Sequence, residues 1–450
     1  MIDVRQAAAR VLLAVDGREA TLASALDAIR DEVRPADRGL LVELATGVCR
    51  WRNALDAVIA AAARRSVRTI DAPVLAVLRV GVYQLRHLDR VPSHAVVDTA
   101  VAAVRGLRLT SASSFVNATL RAVVRRGPAI ALPPRPGPDG HLDAQVNYLA
   151  TTLSHPGWLV RRWIARMGFD AAEAWCRFNL TTPDVTVRSL DGQAPDDLLA
   201  RLHALDLPAT PARFVDDAVT LPAGTFGRLP AELRARLWAQ DEAAQLVARY
   251  AAARPGERVL DLCASPGGKT LVMASDMRTD DGTGAGAIVA CDHRPGRVGL
   301  LAHTLRHAHV PAAIVRLDAH LSLPFGPVFD CVLLDAPCSG LGTVRREADV
   351  KWSRSAAALP ALAAIQQQML RVAADVVTQG GRIVYATCSN EPEENDEVVD
   401  AFLAADPRFE PGPAGPIAAD LLDARGRLVT RPDRHGLEAF YAAVLVRGQA

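Results

Sequence analysis

Lysine is nearly missing from this chain. Of its 51 basic residues only Lys269 and Lys351 are lysines, so arginine carries the positive charge wherever charge alone suffices. An ammonium on a flexible stem differs from a planar guanidinium in shape and hydration, and the two lysines therefore mark positions that call for a lysine. Paired cysteines are also lacking. The seven cysteines lie at 49, 176, 263, 291, 331, 338 and 388 with no CxxC pair, which argues against a zinc ribbon and a disulfide framework and leaves free thiols. No metal is expected. Long apolar runs are missing too, because Arg or Asp interrupts each within a few positions, and nothing approaches a membrane-spanning stretch. Asp3, Arg5 and Arg10 break the apolar residues between Met1 and Val15, so no signal peptide is expected. These absences predict a cytoplasmic protein with no membrane partner; a monomer is expected.

What is present is length and apolar content: 450 residues, 50% of them hydrophobic, enough for two or three cores. The net charge of +1 hides an asymmetry, since residues 1 to 130 hold 19 Arg against 12 Asp and Glu, or 19 − 12 = +7. A local basic excess suits a polyanion partner, although a solvated charged surface has the same composition.

Residues 1–126 read as helix throughout, with apolar stripes such as Val74, Leu78, Val82 and Leu85 and no sustained alternation. Pro and Gly then crowd residues 127–140, and a linker is expected over 127–144. Residues 145–240 mix helices at 155–167 and 171–178, a strand VTVRSL and a helix PDDLLARLHAL, as a small α+β connector would. From 241 to 450 strands and helices alternate: RVLDLCA, AIVACD, AAIVRL, DCVLLDA, a helix over 355–378, then GRIVYATC. That alternation predicts an α/β, Rossmann-like domain with a parallel, doubly wound sheet. Its functional residues belong at the carboxyl ends of the strands.

The first of these strands runs into Cys263, Ala264, Ser265, Pro266, Gly267, Gly268, Lys269 and Thr270, a tight turn opening a helix, where a βαβ unit holds a nucleotide-like cofactor. The two glycines let the backbone approach a ligand closely. A phosphate-binding P-loop would need glycine at Cys263. The GxGxG at Gly282 to Gly286 precedes its strand, which disfavours a nicotinamide site. Asp292 ends the second strand, placed for the two hydroxyls of a ribose, though an acid there also serves as a helix cap.

Asp335 and Cys338 follow an apolar strand three residues apart, and Cys388 follows the next strand. Buried cysteines are common small core residues, which suffices for Cys331 or Cys49 but suits two thiols lying just beyond strand ends less well. Carbon 5 of cytosine becomes nucleophilic once a thiolate adds to carbon 6. An acid beside ring nitrogen 3 then stabilises the enamine, and a base removes the leftover proton after methyl transfer. Asp335, Cys338 and Cys388 have the side chains for these roles.

DLCASPGGKT, DCVLLDAPCSGLGTVRREADVKW and GGRIVYATCSNEPEEN resemble the signature blocks of the Fmu/Sun family of RNA cytosine-5 methyltransferases. DRGLLVELATGVCRW, LRVGVYQLRHLDRVPSHAVVDTAV and SASSFVNATLRAVVRR resemble the NusB-like RNA-binding domain fused to this catalytic module in bacterial small-subunit ribosomal RNA methyltransferases. The resemblance covers nearly the whole chain and implies S-adenosylmethionine as cofactor and 16S ribosomal RNA as partner. It further implies that Cys388 adds to carbon 6 and that Cys338 helps release the product. By the same resemblance Cys263 to Lys269, Asp292, Asp318 and Asp335 contact the cofactor, and Asp335 and Lys269 also face the cytosine. Lys351 falls in a family motif without an assigned role. One departure stands out: the family shows a Gly followed by two aromatics near its C-terminus, where this chain has His435-Gly-Leu-Glu-Ala-Phe-Tyr441. The rival readings are a non-catalytic, antitermination-like RNA-binding protein and a DNA cytosine methyltransferase. The second would use a Pro-Cys nucleophile and a large recognition domain between the blocks.

Overall fold

A computed structural model describes residues 1–137, 140–279 and 286–449. Residues 138 and 139 of the expected linker, and most of the Gly282 to Gly286 motif, lie outside the described residues. The chain forms two compact units: Met1–Thr181 with Val344–Ala356, and Thr182–Thr343 with Ala357–Ala450. No described helix is long and apolar enough to cross a membrane.

The first unit is helical. Its long helices are Val4–Asp16, Arg38–Ala63, Ala72–His87, Ser93–Gly106 and Ser113–Arg126, and their stripes bury Leu12, Leu44, Leu78, Val104 and Leu120 in one core. Asp3 caps the first helix by accepting from the backbone of Arg5, removing one of the orphan donors at the helix start. Helices Arg38–Ala63 and Ala72–His87 touch at Gly47, where an added Cβ would sit 2.0 Å from the ring of Tyr83. Part of the basic excess is structural, because Arg79 is buried and donates to Asp56 and Asp16 at 2.7–2.8 Å.

The division of the chain differs from the one expected at 144/145. Helices Gly157–Met167 and Phe169–Asn179 go with the helical unit, not with the connector strands that follow. The physical reason is side-chain chemistry across the long helix: Asn53 donates to the carbonyls of Ala150 and His155, and Ser154 accepts from its backbone N–H. Trp163 and Trp175 are buried with ring centroids 5.4 Å apart. Helical periodicity shows that these segments have an apolar face but not which neighbour covers it.

The second unit holds two sheets. The smaller is antiparallel, with β1 (Val185–Ser189), β2 (Thr210–Pro211), β3 (Ala218–Leu221) and β4 (Leu237–Ala239) in the order β2-β3-β1-β4. The larger contains β5 (Arg258–Asp261), β6 (Ala287–Asp292), β7 (Ala313–Arg316), β8 (Phe329–Asp335), β9 (Val377–Thr387), β10 (Phe409–Pro411), β11 (Leu428–Val429) and β12 (Tyr441–Arg447). Its order is β10-β12-β9-β8-β5-β6-β7, with β11 paired to β12.

Two expectations need correction. The sheet is mixed: β5 to β9 are parallel, but β12 runs antiparallel to β9 and β10 and β11 antiparallel to β12. The helix expected over 355–378 is Leu359–Ala374, because Val377 already belongs to β9; a short apolar run satisfies either period. The mixed topology matters for function. Antiparallel pairing of Tyr441 with Thr387 brings the start of β12 to the edge where the parallel strands end.

Candidate active site

Strand register sets the site. Asp261 lies opposite Leu333 and Ala290, and Asp335 opposite Ala386, so the carboxyl ends of β5, β6, β8 and β9 form one edge carrying Asp261, Asp292, Asp335 and Thr387. Beyond Asp261 the chain turns through Leu262–Gly267 into the helix Gly268–Asp276. Gly267 has φ +112°, in the left-handed region that favours glycine, and an added Cβ on Gly268 would lie 2.9 Å from Trp238 and Gln240. The turn is pinned by the N–H of Ala264 donating to Cys291 O at 2.8 Å and that of Gly267 to Ala264 O at 2.7 Å.

Lys269, on the first turn of that helix, donates to Asp335 Oδ2 at 2.7 Å and lies 5.6 Å from the centroid of the Phe440 ring. Burial alone would lower its pKa, but the Asp335 carboxylate, and Cys388 beyond it, raise it above the ordinary lysine range. The ammonium therefore stays charged. Cys338 and Cys388 meet with their sulfurs 3.2 Å apart. The hydrogen bond to Cys388 and burial hold the Cys338 thiol well above its usual pKa, and the Glu394 carboxylate adds to the effect.

The acids differ in setting. Asp292 is buried, accepting from Arg297 Nε at 2.9 Å and the N–H of Arg294 at 3.2 Å, while Arg297 also donates to the carbonyl of Ser265. Asp318 is exposed; its contacts are to the backbone and ring of His320, at 3.0 and 2.6 Å, and these hold its pKa down. Leu317, just before it, donates to Asp292 O at 3.2 Å, so Asp318 flanks the end of β6. Lys351 has a different environment. Its amine is fully buried within the helical unit, donating to Arg50 O at 3.0 Å and Ser154 O at 2.7 Å.

Sequence reasoning missed several side chains. Asp261 is fully buried and accepts from Thr270 Oγ1 at 2.7 Å; burial raises its pKa to about 7 against the lowering effect of Thr270 and Lys269. A charged acid inside an apolar strand was its visible signal. Phe440 had one too, being the first aromatic of the atypical C-terminal segment, and Glu394 sat unremarked in the NEPEEN run.

The edge suits a cationic ligand carrying a ribose and a methionine moiety. Asp261 Oδ1, Trp238 Nε1 and Gln240 Oε1 are buried around the turn with no partner among the described residues, and such atoms are costly unless something completes them. The nearby carboxylates match the positive charge and the hydroxyls of such a ligand.

A turn at the first βα crossover, acids on successive strand ends and two facing thiols define a Rossmann-like methyltransferase. The chain belongs to the RsmB/F family of 16S rRNA methyltransferases. The family pattern described as 16S rRNA methyltransferase RsmB/F matches residues 248–446, the NusB family pattern residues 3–125, and the RsmF/B ferredoxin-like pattern residues 155–225. The last spans the division at Thr181, joining helices of the first unit to strands of the second. Among similar proteins, Ribosomal RNA small subunit methyltransferase B of Pseudomonas putida is 33% identical over 98% of both chains. Putative methyltransferase Rv1407 of Mycobacterium tuberculosis is 36% identical over 98% of this chain and 96% of its own. The crystal structure of PH0851 shares the fold, with a TM-score of 0.78 and 22% identity over 99% of both chains.

Proposed function

We propose that this enzyme methylates carbon 5 of a cytosine in 16S ribosomal RNA through a covalent adduct with Cys388. The observation that carries the reading is the pair of thiols 3.2 Å apart beside the Lys269–Asp335 ion pair. S-adenosylmethionine, held by the Cys263 to Lys269 turn with Asp292, Asp318 and Asp335, supplies an electrophilic methyl group when bound. Cys388, close enough to the Lys269 ammonium to raise the lysine's pKa, is the sulfur that bonds to carbon 6 of the ring. Asp335 and Lys269 face ring nitrogen 3, and this ion pair passes it a proton as electron density moves to carbon 5 and takes that proton back when the carbon–sulfur bond breaks. After methylation the proton on carbon 5 leaves to a base, the carbon–sulfur bond breaks and Cys388 departs as thiolate. Cys338 acts at that release. The arginine excess of the helical unit supplies RNA affinity without base identity. The alternative of a non-catalytic RNA-binding protein gives no reason for two thiols to face each other beside a buried lysine.

The direct test incubates unmodified small-subunit ribosomal RNA with enzyme and S-adenosylmethionine and maps 5-methylcytosine by bisulfite sequencing. One new protected cytosine is expected; methyl incorporation at any other base would refute the assignment. The cofactor arm has its own prediction. Asp292→Ala should weaken S-adenosylmethionine binding by about 1.5 to 3 kcal/mol, the range for hydrogen bonds to a charged group. Unchanged affinity by calorimetry would remove Asp292 from the site.

A further inference from the structure

Glu394 is 0% exposed, and no cationic side chain pairs with it among the described residues. A buried carboxylate is costly unless hydrogen bonds satisfy it. Its two oxygens accept four. Oε1 takes the backbone N–H of Ser339 at 2.7 Å and Gln366 Nε2 at 3.1 Å; Oε2 takes the hydroxyls of Ser339 and Ser389, each at 2.6 Å. Ser339 directly follows Cys338, and Ser389 directly follows Cys388.

The supports around this carboxylate are equally local. Gln366 also donates to Pro337 O at 3.0 Å, so residues on both sides of Cys338 are held from one point. Asn395, next to Glu394, donates to Ser389 O at 2.9 Å and accepts from Thr387 Oγ1 at 2.6 Å, which brackets Cys388 likewise. The Tyr385 hydroxyl anchors the Glu394 carbonyl at 2.6 Å. An ordinary packing role would be met more cheaply by an apolar residue, since a buried charge contributes little net stability.

We propose that Glu394 is a positioning residue whose carboxylate ties the loop of Cys338 to the loop of Cys388 and sets the distance between their sulfurs. Its consequence for methyl transfer rests on the adduct chemistry proposed above; its geometric effect does not. Beyond geometry, the Glu394 carboxylate adds to what the bond to Cys388 and burial do in holding the Cys338 thiol above its usual pKa.

The test reads sulfur proximity and turnover separately in the full-length protein. Diamide oxidises two neighbouring thiols to a disulfide, taking up their two protons and two electrons as it becomes the hydrazine, and the Cys338–Cys388 link is followed by peptide mass mapping. Glu394→Ala should slow closure about 10-fold, because a disulfide forms only within narrow limits of separation and angle. With the thiols displaced, kcat should fall on the order of 100-fold, the cost of about 1 Å of misplacement, while S-adenosylmethionine affinity stays within about twofold, being untouched by the lost hydrogen bonds. Glu394→Gln keeps acceptor oxygen and shape and should close at nearly the native rate, yet shift the alkaline limb of the kcat profile downward as Cys338 loses its negative neighbour. If Glu394→Ala does not fold, the double variant Ser339→Ala with Ser389→Ala removes the same ties and should slow closure in the same way. Native closure rates in Glu394→Ala, or in the serine variant should it be needed, would overturn the proposal. Slow closure with unimpaired methyl transfer would keep the positioning role and defeat the adduct reading.

Discussion

Cys388→Ala will abolish turnover while leaving cofactor binding intact, and Cys338→Ala will methylate once and then hold the RNA covalently. Both outcomes rest on the roles proposed above for two sulfurs that lie 3.2 Å apart. Without a sulfur to add at carbon 6, carbon 5 has no route to nucleophilicity, so no methyl group moves. Without Cys338 the addition and the transfer still proceed, but release stalls and the adduct accumulates. It should run as a slow band on a denaturing gel, resistant to boiling in detergent, labelled by the methyl group of the cofactor and removed by ribonuclease. A core cysteine cut to alanine costs stability and does not trap product, so thiol packing predicts no such band. The reverse pattern, with Cys388→Ala trapping RNA and Cys338→Ala dead, would mean that the roles are exchanged. Activity retained in both variants would place methyl transfer elsewhere.

That these two thiols belong together was legible in the sequence because each follows an apolar strand, and strand ends in a parallel sheet share an edge. Lys269 and Asp335 were legible by the same rule, one opening the first helix and the other closing β8. Period and strand-end chemistry are local, and local signals survive in sequence. What was not legible depended on partners distant in the chain. No strand was expected after Thr387, so nothing showed that β12 would return antiparallel and deliver Phe440 to within 5.6 Å of Lys269. Helices Gly157–Met167 and Phe169–Asn179 were legible as helices and as part of the connector, which the ferredoxin-like family pattern over residues 155–225 also contains; their packing against the long helix was not, since Asn53, which anchors the segment before them, lies about a hundred positions upstream. Glu394 was invisible for a further reason: a glutamate in an acidic run resembles a solvated surface until its four donors are known.

The scarcity of lysine yields the second large effect. If charge were all that mattered, arginine would serve at 269 and 351 as it does at every other Lys or Arg position, so Lys269→Arg and Lys351→Arg are the sharpest conservative tests. At 269 the side chain is only 14% exposed and aims a single nitrogen at Asp335. A guanidinium there is larger and engages carboxylates with a rigid fork, which on the proposed mechanism would turn the Asp335 carboxylate away from the base. Lys269→Arg should lower kcat on the order of 100-fold or more, as loss of an aligned acid–base group does, with little change in melting temperature. Lys351 should respond in the opposite manner. It is sealed in the helical unit with backbone carbonyls as acceptors, so Lys351→Arg overpacks the site and should cost about 1 to 3 kcal/mol of stability. Burial lowers the Lys351 pKa to about 7, below the unfolded value near 10.4. Between those two pH values the folded chain binds fewer protons than the unfolded one, and stability conferred by this residue therefore rises with pH. Measured against Lys351→Met, the wild-type protein should gain stability between pH 7 and pH 9 in denaturant titrations. A flat difference would show that the amine is charged in the fold across that range, and full activity of Lys269→Arg would show that position 269 requires only a positive charge.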